Sequence, residues 1–227
     1  MPLEWVPSIR ELKAFMIKEC APECTFEFRA RSPLRMDPER RIIYIGAHVL
    51  RQGVIEYINQ GWDWKVILRE HIRHEKAHLK LWPIVKESMP VIDSMADRLY
   101  DNGISPDEFW MLQNTVQDWI IEGIYFIGDE RHRDVSRKTQ LLTYQKFSFL
   151  PIEARLSTKM AYYIATLAVA LGNVDLDTAM MDFMEQDIFV KMFSEALKKI
   201  KSDSEFTKGL MDCVEVRIKH WRRVGGW

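Results

Sequence analysis

Apolar residues recur at helical spacing through most of the chain, and two short stretches have the pattern of β-strands instead. Residues 25–30 alternate apolar and polar side chains, and residues 41–45 are β-branched and aromatic. These two strands are predicted to pair as an antiparallel hairpin. Helices are predicted before them, from a capping box at Ser8, and after them over Ala47–Asn59. The patterns indicate an α+β fold that is predominantly helical.

A longer amphipathic helix is predicted for residues 63–82. Asp63 can cap its first turn, and Pro83 is expected to end it, with a separate helix over residues 88–101. Residues at successive steps of four and three form one face of this helix, and three of them are histidines. Its members are Ile67, His71, His74, His78 and Leu81.

The segment His74-Glu75-Lys76-Ala77-His78 has the spacing H-E-x-x-H. Residues four apart on a helix are neighbours on one face, so His74 and His78 can both reach one metal ion. Glu75 lies beside the same position and can hold a metal-bound water. A complete site needs a third ligand from elsewhere in the chain.

A further helix is predicted from Ser105 to about Ile127, and one of its stripes is polar. Asn114, Asp118 and Glu122 follow one another at steps of four within an otherwise apolar helix. Buried carboxylates are costly unless they are paired or bind a metal, which makes this stripe the candidate source of the third ligand. Two histidines and a carboxylate from a later, crossing helix form the ligand set of many hydrolytic zinc sites.

The order strand, strand, helix, H-E-x-x-H helix and carboxylate-bearing helix resembles the zincin metallopeptidases, and their gluzincin branch in particular. The segment NTVQDWIIE, residues 114–122, is similar to an N-x-x-x-D-x-x-I-E pattern. That pattern follows H-E-x-x-H in small predicted metallopeptidases and in proteins related to cobaltochelatase subunits. The resemblance covers roughly residues 25–128.

The resemblance implies a role for each residue of the two motifs. His74 and His78 would bind Zn²⁺, and Glu75 would be the general base that hydrolyses a peptide or protein substrate with zinc-activated water. Either Asp118 is the third ligand and Glu122 supports it, or Glu122 is the ligand and Asp118 the support. The strand at residues 41–45 is the candidate edge strand for holding an extended peptide.

Other polar residues near the motifs are candidates for lesser roles. Tyr125, His132 and Tyr144 are possible hydrogen-bond donors to the oxyanion of a peptidase reaction. His71 shares the ligand face and is expected to be a hydrogen-bonded neighbour of the site.

Composition and charge narrow the class of protein. A net charge of −1 gives no field for nucleic acid, and the longest apolar run, residues 160–171, is too short to cross a membrane. Three cysteines and no apparent signal peptide lead us to expect free thiols in the cytoplasm. We predict a zincin-like metal-binding region over residues 1–150, followed by a helical region, 151–227, packed on it.

Two alternatives remain open at this point. Glu75-x-x-His78 also has the spacing used by di-metal carboxylate oxidoreductases in helical bundles. The near match that could provide a second such pair is Asp129-x-x-His132, in a charged connection. The chain could also be a helical interaction protein that is not catalytic and binds no metal.

Overall fold

The computed structural model describes residues 6–30, 32–101, 106, 113–114, 116–118, 120–148 and 202–212. The chain divides into two compact units, residues 1–82 and 83–227. The predicted boundary at residue 151 lies outside the described residues and stays a prediction. The described part is mostly helical with one small sheet, as the sequence patterns indicate.

The first unit contains two helices, three strands and the beginning of a third helix. They are α1 (Ile9–Cys20), β1 (Thr25–Phe28), β2 (Arg35–Asp37), β3 (Ile42–Ile45), α2 (Ala47–Asn59) and the first part of α3 (Trp64–Tyr100). The predicted capping box opens α1: Ser8 Oγ accepts from the Glu11 N–H, and the Glu11 carboxylate accepts from the Ser8 N–H.

The sheet is mixed, with strand order β1-β3-β2. Strands β1 and β3 are parallel, so the predicted antiparallel hairpin between them is wrong. Instead β2 pairs antiparallel with β3 across the predicted turn, where the Arg40 N–H donates to Asp37 Oδ1 at 3.1 Å. Because β3 is hydrogen-bonded on both sides, it cannot be the edge strand proposed for peptide binding. Strand β2 was not predicted, because a strand of three residues is too short to show an alternation of apolar and polar side chains.

The core of the first unit lies between its helices and one face of the sheet. Each element contributes apolar side chains at its own period, four residues apart in the helices and two apart in β3. The most deeply buried are Leu12, Met16 and Cys20 of α1, Ile43 of β3, Leu50 and Val54 of α2, and Leu68 and Ile72 of α3. Lys76 continues the Leu68–Ile72 row of α3, on the side of the helix opposite His74 and His78.

Helix α3 runs through Pro83 and Pro90, so the predicted end at Pro83 is wrong. An interior proline loses one backbone hydrogen bond and destabilises a helix by about 3 kcal/mol. Both prolines lie on the exposed side, whereas the opposite side is buried across both of them. That buried stripe has steps of four, three, four and three: Leu81, Val85, Ser88, Ile92 and Met95. Continuous apolar burial offsets the lost hydrogen bonds and keeps the segment helical.

The second unit is described in five pieces besides the end of α3. The described residues between 113 and 120 are helical, and they lead into a π-helical turn, Ile121–Tyr125. Helix α4 (Glu130–Ser148) follows, and a 3₁₀ turn, Asp203–Glu205, leads into helical residues 206–212. No helix within these described residues has the length and apolar character required to cross a membrane.

An ion pair connects α3 to α1 within the first unit. Arg69 donates from Nε and from a terminal nitrogen to the two carboxylate oxygens of Glu19, both at 3.0 Å. These hydrogen bonds, followed by the charge of Arg69, lower the pKa of Glu19 below its usual 4.5. A carboxylate whose pKa is lowered in the folded state stabilises the fold at pH values above its unfolded-state pKa.

We therefore expect the Glu19–Arg69 pair to stabilise the first unit at neutral pH and to lose this effect as pH falls below about 4.5, through the folded-state pKa. Urea unfolding of the wild type and of Glu19→Gln, measured from pH 7 to pH 3, tests this. The two free energies of unfolding should differ at pH 7 and converge in acid. Glu39→Gln, at an exposed residue of the β2–β3 turn, is the control. A difference between the two free energies of unfolding that persists at pH 3 would contradict the role assigned to this ion pair.

Candidate metal centre

The two histidines of the H-E-x-x-H motif lie side by side on α3. Asp63 caps the helix as predicted, with its carboxylate accepting from the Lys65 N–H at 2.9 Å. One helical turn separates His74 from His78, and their ring centroids lie 5.3 Å apart in an edge-to-face arrangement. Both rings are half-buried. This spacing allows both imidazoles to bind one ion, as the sequence predicts.

Two glutamates flank the histidine pair on the same helix. Glu75 is half-buried and directly follows His74. Glu70 is one turn before His74, 1% exposed, and accepts a hydrogen bond from Arg73. Glu70 was not among the candidate site residues predicted from the sequence. Its spacing of four from His74 was visible, but a charged residue in a charged helix is usually exposed, and only the packing shows that Glu70 is buried.

The predicted carboxylates belong to the second unit, and both are buried. Asp118 is 2% exposed, and its Oδ2 accepts a hydrogen bond from the Asn114 side-chain amide at 2.8 Å. Asn114 and Asp118 are thus paired along one helical stripe at the spacing of four that the sequence shows.

Glu122 lies in the π-helical turn, where the Phe126 N–H donates to the Ile121 carbonyl. Turns of this kind place an extra residue in a helix and often occur at functional sites. One Glu122 oxygen lies 3.0 Å from His132 Nε2, and the other accepts from Ser136 Oγ at 3.2 Å. Phe126 stacks on the His132 ring with centroids 3.8 Å apart. We call Glu122, His132 and Ser136 the buried polar cluster.

Helix α4 provides the other two members of the buried polar cluster. Asp129 caps its first turn by accepting from the His132 N–H at 3.0 Å. The cap directs His132 inward, where 1% of it is exposed, and Ser136 follows one turn later. From the sequence, His132 was placed in a charged connection and was considered as an oxyanion donor or, with Asp129, as the second pair of a di-metal site. The signal that could have been used is the spacing of four between His132 and Ser136 behind an aspartate cap.

The other residues predicted from the sequence to lie near the site have different contacts. The Tyr125 hydroxyl donates to Asp203 at 2.9 Å, and burial, followed by this hydrogen bond, raises the pKa of Tyr125 to about 12. His71 packs edge-on against the Tyr57 ring. The side chain of Tyr144 lies outside the described residues.

Comparisons of the chain with protein-family models, with curated proteins and with solved structures find no match in any of the three. The resemblance to the zincins therefore rests on the two motifs in the sequence.

Glu122 should contribute more to the free energy of unfolding than Ser136 does, because it is the acceptor shared by the buried polar cluster. Glu122→Ala leaves His132 and Ser136 buried without their shared acceptor, and we expect a loss of about 2–3 kcal/mol in the free energy of unfolding. Ser136→Ala removes only the longer hydrogen bond to Glu122 and should cost about 1 kcal/mol. Denaturant unfolding in the presence of a chelator measures both values without a contribution from bound metal. Equal losses in the free energy of unfolding for the two variants would contradict the role of Glu122 as the shared acceptor.

Proposed function

We propose that the chain is a zinc-dependent metallopeptidase-like hydrolase, in which His74 and His78 are two of the metal ligands. The observation that carries the proposal is the pair of adjacent, half-buried imidazoles on α3 within an H-E-x-x-H motif. Zinc in catalytic sites takes three protein ligands of this kind and keeps one position open for water. The third ligand in the proposal is a carboxylate of the second unit.

Asp118 and Glu122 are both candidates for the third ligand. Glu122 has hydrogen-bond partners on both of its carboxylate oxygens, His132 on one and Ser136 on the other. Asp118 accepts from the Asn114 side-chain amide, and in the proposal this hydrogen bond orients whichever of the two residues it supports. The proposed ligand set is therefore His74 and His78 together with one of these two carboxylates.

These residues would hold zinc, which would supply a coordinated water with a pKa lowered towards neutrality. Glu75 would accept the proton of this water and later transfer it to the leaving amine of a cleaved peptide bond. Its place directly after His74 suits this role, because a residue at that position of the helix lies beside the ion. Asn114 and the buried polar cluster would hold the carboxylates in a fixed orientation.

A di-metal carboxylate oxidoreductase is the second candidate, and the burial of His132 favours it. Such sites use carboxylates together with E-x-x-H pairs on facing helices. Glu75 and His78 form one pair of this spacing, and Glu122 with His132 is a second carboxylate–imidazole pair, joined by a hydrogen bond of 3.0 Å. Glu70 would be a further buried carboxylate. The two candidates differ in the number and identity of the metal ions.

The metal content of the purified chain distinguishes these candidates. After saturation with zinc and iron and removal of excess metal, we expect one zinc per chain by elemental analysis. His74→Ala and His78→Ala should each lose it, because two ligands of a three-ligand site do not retain zinc against a chelator. His48→Ala, at an exposed histidine of α2, is the matched control. Two irons per chain would favour the di-metal candidate, and full zinc in a His74→Ala/His78→Ala variant would place the site elsewhere.

The role of Glu75 requires a variant that keeps the metal. Glu75→Gln preserves the shape of the side chain but cannot accept a proton, so zinc content should be unchanged while peptide hydrolysis falls by ~10²–10⁴-fold. Cleavage of a peptide library by the zinc-loaded chain, read by mass spectrometry, measures the loss. Glu87→Gln, at an exposed glutamate of the same helix, is the control. Unchanged hydrolysis in Glu75→Gln would remove Glu75 from the reaction.

A further inference from the structure

The turn that joins α1 to β1 brings together two cysteines that the proposed metal centre does not use. Cys20 is the last residue of α1, and Cys24 directly precedes β1. The Cys24 N–H donates to the Cys20 carbonyl at 3.1 Å, and the Cys24 thiol donates to the same carbonyl at 3.4 Å. The turn thus holds the two cysteines close together in the reduced state.

The same turn can accommodate a bond between the sulfurs. A disulfide requires Cβ atoms about 3.5–4.5 Å apart. The two hydrogen bonds from Cys24 to the Cys20 carbonyl keep the two residues adjacent, so disulfide formation requires a local adjustment of this turn. The three residues between the cysteines, Ala21, Pro22 and Glu23, are all exposed, so no packed side chain opposes this adjustment.

The two cysteines differ in pKa. The pKa of Cys24 is lowered, first by the hydrogen bond from Cys20 and then by the positive charges of Lys76 and Arg41, against the opposing effects of burial and of Glu23. The same hydrogen bond and burial raise the pKa of Cys20. Lys76 is held there by Glu23, with Nζ and Oε1 3.3 Å apart. Cys24 therefore forms a thiolate more readily than Cys20 does, and the thiolate is the reactive form.

We propose that Cys20 and Cys24 are a peroxide-oxidisable dithiol that closes to an intramolecular disulfide. Cys24 is 7% exposed and Cys20 is fully buried, so a small hydroperoxide meets Cys24 first. The Cys24 sulfur attacks the peroxide, the O–O bond breaks, and a sulfenic acid forms with release of an alcohol or water. The Cys20 sulfur then attacks the Cys24 sulfur, and the S–O bond breaks. Two thiols and one hydroperoxide thus become one disulfide, one alcohol (water from hydrogen peroxide) and one water.

The test uses the full-length chain with Cys213→Ala, which removes the third cysteine of the sequence. The reduced protein is treated with one equivalent of hydrogen peroxide, quenched with a thiol alkylating agent and mapped by mass spectrometry. We expect loss of two hydrogens, a Cys20–Cys24 linkage, protection of both cysteines from alkylation, and reversal by dithiothreitol. The wild-type chain is mapped in parallel, so the result does not depend on folding of the variant.

Two comparisons separate a prearranged pair from two cysteines that are merely near in sequence. In urea the turn is lost, and disulfide formation should be several-fold slower than in the folded chain. Lys76→Gln should slow the reaction of the folded chain, whereas Lys80→Gln, at an exposed lysine one turn further along α3, should not. Equal rates in the folded and unfolded chain, or a sulfinic acid at Cys24 with Cys20 still open to alkylation, would overturn the proposal. Equal rates for the two lysine variants would contradict the role of Lys76.

Discussion

Burial of apolar side chains along α3 is the constraint on which the described structure depends. The helix contributes apolar side chains to both units, Leu68 and Ile72 to the core of the first and Ile92 and Met95 to the buried part of the second. It remains helical through Pro83 because its buried stripe continues where a backbone hydrogen bond is lost. The regular helix up to Trp82 in turn keeps His74 and His78 one turn apart on one side, as a pair of metal ligands requires.

Buried polar groups constrain the second unit in a different way. A carboxylate, an imidazole and a hydroxyl removed from water destabilise a fold unless each finds a partner, and Glu122, His132 and Ser136 are partners for one another. Such clusters hold side chains in one orientation, because any other orientation leaves a polar atom without a hydrogen bond. That rigidity suits the residues around a metal ligand, and it connects the stability of this unit with its proposed chemistry.

Local signals in the sequence predicted the starts of helices well. Ser8 with Glu11, and Asp63 before α3, form the hydrogen bonds that their spacing predicts, since a cap depends only on residues within one turn. The pairing of strands was predicted incorrectly, because it depends on which distant segment lies alongside. The short strand β2 takes the antiparallel position next to β3, and β1 joins the other side in parallel.

For the candidate site, the sequence by itself determined the pairs that a helical period places together. His74 with His78, and Asn114 with Asp118, are four residues apart on one helix, and their proximity follows from helix geometry alone. Only the tertiary structure decided that Glu70 is buried, that β3 is a central strand, and that His132 of α4 meets Glu122 of the π-helical turn. Spacing along a helix is a local property of the backbone. Burial and contacts between separate elements depend on how their side chains pack, which no single stretch of sequence specifies.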